Sequence, residues 1–212
     1  MTEVSSTSFS HKRYDVLLVD PPWTYTNFGT ASVSNHYGLL DQEAICSLPI
    51  RQILKKKAFV FVWATGPRLD YALEAIKSWG LHYRGIAFVW VKTRKSDNAI
   101  ISGQGVPPTF TKPTTEMLLC ATTTKAGRPV PLRKFNAPQV ILAPRGGHSE
   151  KPEVFRETIE ETLGGSSRDY LEMFARKRIP GWDAIGDEVC NGEDIRESLR
   201  KMTLPPGVES IV

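Results

Sequence analysis

The sequence predicts an α/β fold with a mostly parallel sheet flanked by helices, on three observations. The runs Val16-Leu17-Leu18-Val19, Ala58-Phe59-Val60-Phe61-Val62-Trp63 and Ile86-Ala87-Phe88-Val89-Trp90-Val91 are apolar throughout, as strands buried on both faces are. Between the second and third, Leu69, Ala72, Leu73, Ile76 and Trp79 recur at helical spacing, and such βαβ alternation builds parallel sheets. The first run stops at Asp20-Pro21-Pro22-Trp23, where two prolines can neither extend a ladder nor open a helix at once. Asp20 is thereby expected at the carboxyl end of a strand, where open α/β sheets bind ligands.

Residues 1–12 read as a disordered N-terminal segment, 13–190 as one domain, and 191–212 as a charged C-terminal tail that frays. After the first strand, residues 24–40 are rich in Thr, Ser, Asn and Gly, with His36-Tyr37 near the end. A polar segment of that length inside a compact domain reads as a binding loop. Asp41 suits a helix N-cap, and Ile45, Leu48, Ile53 and Leu54 give the apolar face of a helix interrupted at Pro49. The strand 58–63 runs into Thr65-Gly66-Pro67, and the next helix closes at Gly80.

Regular patterning lapses over 92–113, where Lys92, Arg94, Lys95 and Lys112 surround a Gly/Pro-rich centre. This is either a loop that tracks a phosphate backbone or a solvated one. Residues 116–121 restore a strand, and 125–134 form a second basic loop with Arg128, Arg133 and Lys134. Two such loops on one side of the sheet would make a nucleic-acid cleft. A short strand follows at 140–143. Pro152 suits the first position of a helix with the stripe Phe155, Ile159 and Leu163, ended by Gly164-Gly165. The last strand is expected over 169–176.

With 212 residues, 41% hydrophobic and 24% charged, the chain is long enough for one such domain and short for two. A net charge of +4 suits a polyanionic partner without requiring one. Cys46, Cys120 and Cys190 form no C-x-x-C pair and lie near no histidine pair, so neither a zinc site nor a disulfide framework is suggested. None follows a proline, which argues against a cytosine-C5 enzyme with a Pro-Cys nucleophile. No apolar run reaches membrane-spanning length and no signal-peptide core precedes the domain, so a soluble, cytoplasmic protein is expected.

The chemistry open to Asp20-Pro21-Pro22-Trp23 is specific. A carboxylate beside a backbone carbonyl on a rigid turn can accept both N–H bonds of a nucleobase exocyclic amine, favouring a pyramidal nitrogen whose lone pair points at an electrophile. Asp20 and the Pro21 carbonyl would do this, Pro22 would stiffen the turn, and Trp23 would stack on the base, worth roughly 1–3 kcal/mol. The alternative is an acidic turn followed by a core tryptophan.

This tetrapeptide resembles the signature of the MT-A70 family of S-adenosylmethionine-dependent adenine-N6 methyltransferases, and ordered matches extend over roughly residues 14–189. They include Tyr37-Gly38, Trp63-Ala64-Thr65-Gly66, Trp90-Val91-Lys92-Thr93 and Glu116. The resemblance implies a Rossmann-like methyltransferase sheet with permuted motif order, the catalytic motif preceding the cofactor-binding one. The segment Ser149-Glu150-Lys151-Pro152 matches the family's Ser-x-Lys-Pro, which implies that Ser149 and Lys151 hold the carboxylate of the cofactor S-adenosyl-L-methionine. Glu172, Phe174 and Arg176 match a Glu-x-Phe-x-Arg segment that borders the cofactor, with Pro21 beside them. Asp187 and Glu188 fall where the family has an amide and an acid or amide, with aspartate at 187 able to accept from ribose hydroxyls but not to donate to them.

The expected reaction is direct methyl transfer to adenine N6 in nucleic acid, DNA favoured over RNA, with no metal required. Tyr37 and His36 would wall the base, and Lys92 and Lys112 would meet the polymer. The rivals are cytosine-N4 methylation, which the same amine-orienting logic serves, and a catalytically silent nucleic-acid-binding subunit of such an enzyme. Monomer and homodimer both remain open, as does a hetero-partner. The lack of accessory domains points to a bacterial or phage-type enzyme, cytoplasmic there and nuclear in a eukaryote.

Overall fold

A computed structural model describes residues 11–23, 40–103, 110–147 and 150–204. Seven strands, β1 (Tyr14–Val19), β2 (Leu54–Ala64), β3 (His82–Thr93), β4 (Thr115–Thr122), β5 (Val140–Pro144), β6 (Tyr170–Met173) and β7 (Trp182–Ile185), form one sheet in the order β5-β3-β4-β2-β1-β6-β7. β4 is antiparallel to both β2 and β3, and every other neighbouring pair is parallel. The expected mostly parallel α/β sheet is the one observed.

Alternation along β1 divides the core in two. Leu17 and Val19 pack with α1 (Gln42–Cys46), α2 (Leu69–Ser78) and α4 (Ile195–Thr203) on one face, while Val16 and Leu18 join the aromatic side chains beneath α3 (Val154–Leu163) on the other. Asp41 caps α1, its Oδ1 accepting from the Ala44 amide at 2.7 Å, and Pro49 separates that helix from the 3₁₀ turn Ile50–Ile53. Phe155 of α3 meets Trp63 edge-on at a centroid distance of 5.0 Å and touches Phe88 and Trp90 as well. That aromatic seat fixes the start of α3, and with it Lys151.

Two segments differ from expectation. The last expected strand, 169–176, stops at Met173, because Phe174 takes φ +60 and turns the chain out of the ladder. The tail from 191 does not fray throughout: Asp194 caps α4 by accepting from the Arg196 amide at 2.7 Å, and Ile195, Leu199 and Met202 lie buried on the core. Their spacing of four and three residues outweighs a composition dominated by charge. The flanks 1–10 and 205–212 lie outside the described residues.

Because β1, β2, β3, β5, β6 and β7 share a direction, their carboxyl ends meet at one edge of the sheet. The reversed β4 brings its beginning there, with Glu116 opposite Trp90. At the other edge, Lys55 pairs with Asp15 and Asp169, both at 2.7 Å, and Lys12 pairs with Asp183 at 2.7 Å, a carboxylate that also accepts from the Tyr14 hydroxyl. This lattice clamps the starts of β1, β2, β6 and β7. A cavity of about 280 Å³ opens between α3 and the sheet on that side, lined by Phe59, Phe61, Phe88 and Cys120 among others; burial pushes the Cys120 thiol up to about 12. Among the described residues no helix is long and apolar enough to cross a membrane.

Candidate active site

β1 delivers Asp20 to the carboxyl edge, its amide still donating to the Met173 carbonyl of β6 at 3.4 Å. The Pro21 carbonyl accepts from the Trp23 amide at 2.8 Å, closing a tight turn and keeping its second lone pair for another donor. Trp23 then folds back, 7% exposed, into the core cluster that includes residues of α1 and α2. Its indole Nε1–H donates to the Trp63 carbonyl at 3.1 Å. The ring is therefore chiefly an internal anchor of the turn, and the stacking face expected of it is largely covered.

The polar heart of the site is a chain of alternating charges. Lys151, in the turn before α3, places Nζ 2.7 Å from Asp20 Oδ2, 3.4 Å from Glu116 Oε2, and above the Trp63 ring. Lys92, at the end of β3, puts Nζ 2.6 Å from Glu116 Oε1 and over the Trp90 ring. The side chains of Lys151 and Glu116 are 12% and 13% exposed, that of Asp20 26%. Burial pushes the Asp20 carboxyl above the usual range, with Lys151 opposing and the Glu116 charge adding to the rise. Burial would raise Glu116 too, but the two ammonium groups outweigh it and hold it below its ordinary value. Lys151 is driven down by burial and more strongly up by its two carboxylates.

Beside this chain lies a shelf formed where β6 and β7 end. Glu172 accepts through both oxygens from Arg156 Nη1 at 3.0 Å. Burial raises its carboxyl, against the pull of that guanidinium. Phe174 and Ala175 leave β6, and the Ala175 amide donates to the Ile185 carbonyl at 3.0 Å. Gly186 packs so tightly there that a Cβ would sit 2.8 Å from the Ala175 nitrogen and oxygen. Arg176 Nε lies 3.6 Å from Glu188 Oε1, and Asp187 Oδ1 accepts from the Glu188 amide at 2.9 Å.

Comparison with known proteins adds a decisive observation: the MT-A70 family model matches residues 14–188. The chain belongs to the MT-A70 family. It is 30% identical over 198 residues to the type II methyltransferase M.MunI of Mycoplasma sp, covering 84% of this chain and 78% of that protein. It is 26% identical to the human N(6)-adenine-specific methyltransferase METTL4, over 87% of this chain and 39% of the relative. The N6-methyladenosine RNA methyltransferase MTA1 of Pyricularia oryzae matches at 29% identity, over 87% of this chain and 49% of its own length. A non-catalytic subunit, MTB of Arabidopsis thaliana, matches at 36% identity over 46% of this chain and 12% of its own length.

For an MT-A70 chain, the sequence-derived candidates fall into three groups. Asp20, Pro21, Lys151, Glu172, Phe174, Arg176, Asp187 and Glu188 gather at the carboxyl edge, Pro22 completes the turn, and Trp23 lies beneath it. Lys92 reaches the same place, but as the partner of Glu116 and only 19% exposed. Lys112 stands exposed in the connection between β3 and β4, against Gly103. His36, Tyr37 and Ser149 lie outside the described residues. The basic segment 125–134 follows the far end of β4 and sits at the opposite edge, where Arg84 binds the Lys125 and Gly127 carbonyls. Among the described residues it lies at the other end of the sheet from the 92–113 segment, because β4 runs backwards between them. Arg156 was not anticipated, since its place beside Phe155 on an amphipathic helix reads as solvent-facing.

The shelf suits S-adenosylmethionine by the chemistry of its groups. Lys151 and Arg176 offer cations for a carboxylate, while Asp187 and Glu188 offer acceptors for ribose hydroxyls. Arg156 Nη2 is buried without a hydrogen-bond partner among the described residues, which leaves one donor of the shelf to be matched.

Proposed function

We propose that this protein transfers a methyl group from S-adenosylmethionine to the exocyclic N6 of adenine in nucleic acid, DNA in preference to RNA. The observation that carries the reading is the state of Asp20: Oδ2 is engaged by Lys151, while none of the described residues donates to Oδ1. A free carboxylate oxygen beside the Pro21 carbonyl is what an amine needs in order to be held by both hydrogens. S-adenosylmethionine supplies, when bound, an electrophilic methyl on a sulfonium that leaves as a neutral thioether. Asp20 and Pro21 orient the amine, Lys151 keeps Asp20 charged, and the packed turn over Trp23 holds the acceptors still. Alignment of this kind supplies about 7–11 kcal/mol when the geometry is good. In a duplex the adenine must first leave the stack.

Family membership supports methyl transfer, and the names of relatives support adenine N6. The match to a type II methyltransferase, at 30% identity over 198 residues, supports DNA. A cytoplasmic location and action as a monomer or homodimer belong to the same reading. The match to MTB favours a second reading, a silent subunit that needs an active partner. The test is transfer from labelled S-adenosylmethionine to matched single- and double-stranded DNA and RNA, followed by nucleoside mass analysis. Labelled N6-methyladenine that disappears in Asp20→Ala supports the proposal. Labelled N4-methylcytosine, or cofactor binding without transfer to any polymer, overturns it.

A further inference from the structure

The amine-orienting turn accounts for Asp20 and leaves two buried charges, Glu116 and Lys92, without a part. Neither belongs on the surface of a basic loop: Glu116 is the second residue of β4, Lys92 the last but one of β3, and both lie low in the site. Glu116 spends one oxygen on each lysine, 2.6 Å to Lys92 and 3.4 Å to Lys151, and Lys151 turns its shorter contact, 2.7 Å, to Asp20. The four charges sum to zero, and at this depth removing any one alone leaves an unmatched charge, which is costly. Lys151 is thus shared between two carboxylates.

We propose that Glu116 is a positioning residue which, braced from behind by Lys92, sets how Lys151 is divided between itself and Asp20, and so how free Asp20 is to accept the substrate amine. The inference rests on reading Asp20 as the amine acceptor. Weakening the brace lets Glu116 draw Lys151 away and leaves Asp20 less neutralised. Removing the Glu116 charge leaves Lys151 to Asp20 alone, neutralises that carboxylate more fully and weakens it as an acceptor. The other charges facing Asp20 are Glu172 on β6, itself paired with Arg156, and Arg176 beyond it.

The test follows the Asp20 carboxyl directly by ¹³C NMR titration of aspartate-labelled protein, its signal assigned with Asp20→Asn, and needs neither substrate nor turnover. Lys92→Met is expected to move the Asp20 titration to higher pH and Glu116→Gln to lower pH, each by about one unit. The double variant Lys92→Met/Glu116→Gln restores charge balance and returns it close to the wild type, and Lys92→Arg leaves it in place. In methyl-transfer assays Glu116→Gln lowers kcat by about tenfold with the nucleic-acid KM little changed. Shifts of the same sign in the two single variants, or none, overturn the proposal. A wild type that shows these titrations but transfers no methyl group overturns the proposed function instead, and leaves the charge coupling standing.

Discussion

The indole Nε1–H of Trp23 donates to the Trp63 carbonyl across 3.1 Å, so the turn that carries Asp20 is sewn to the end of the neighbouring strand. The tryptophan is a structural member of the site before it is anything to a substrate. Trp23→Phe leaves a buried carbonyl unpaired and is expected to cost about 1–3 kcal/mol in denaturant unfolding. Trp23→Ala adds a cavity and costs about 3–5 kcal/mol. A Trp23→Phe protein as stable as the wild type would show that the ring serves substrate alone.

Asp20 and Lys151 separate by what they lose. Asp20→Ala is expected to abolish transfer while leaving cofactor affinity nearly unchanged, and Lys151→Ala to weaken cofactor binding first; titration calorimetry alongside the transfer assay checks both. A charged Asp20 accepts an N–H far more strongly than a neutral one, and burial holds its carboxyl above the ordinary 3.8. Activity therefore rises with pH through a limb above that value. In Lys151→Ala the limb moves higher still, because the cation that opposed burial is gone.

The Arg156–Glu172 pair is buried on both sides. Arg156→Met strands the carboxylate and is expected to cost about 3–5 kcal/mol near neutral pH. Burial already raises Glu172, so the deficit shrinks as pH falls and the group becomes neutral. Adding Glu172→Gln to Arg156→Met recovers part of the loss, which chemical denaturation at two pH values measures.

Gly186 is fixed by contact. In Gly186→Ala the new methyl group would lie 2.8 Å from the Ala175 backbone. The shelf must open to admit it, at about 1–3 kcal/mol of stability, with a parallel loss of cofactor affinity.

At the far edge, Lys55 holds Asp169 below its ordinary 3.8 and bonds the buried Asp15. A carboxyl whose value falls on folding stabilises above its unfolded value, and that contribution disappears as pH drops through the folded one. Lys55→Met is therefore expected to lose about 1 kcal/mol at pH 7, an amount discounted for the partial exposure of the lysine. The difference from wild type closes in acid below the ordinary value of Asp169, as melts across a pH series would record.

The elements that sequence reveals are those whose burial is uniform. Val16 to Val19 and the Phe59 to Trp63 stretch are apolar because both faces of the sheet are covered, and that leaves a mark in composition. Four-residue β7 carries Asp183 among its members and has no such mark. The direction of β4 leaves none either, because residue pattern does not encode which way a strand runs; hence sequence left open on which side of the sheet the 125–134 segment lies. Asp20 was legible from a rigid neighbourhood of prolines. Its partners were not, for the chain Lys92, Glu116, Lys151, Asp20 draws on four separate segments and exists only once they fold together.

The two edges of the sheet divide labour along the gene as well as in space. The segments that can alter chemistry or target choice, those following β1, β2, β3, β5, β6 and β7, all open on the Asp20 side, while the ion-pair lattice of Lys12 and Lys55 secures the other. Substrate preference can therefore drift by rewriting loops without disturbing what keeps the strands in register. The exposed tip 125–128, at the quiet edge, is a natural point for grafting a tag or a targeting module onto a working enzyme.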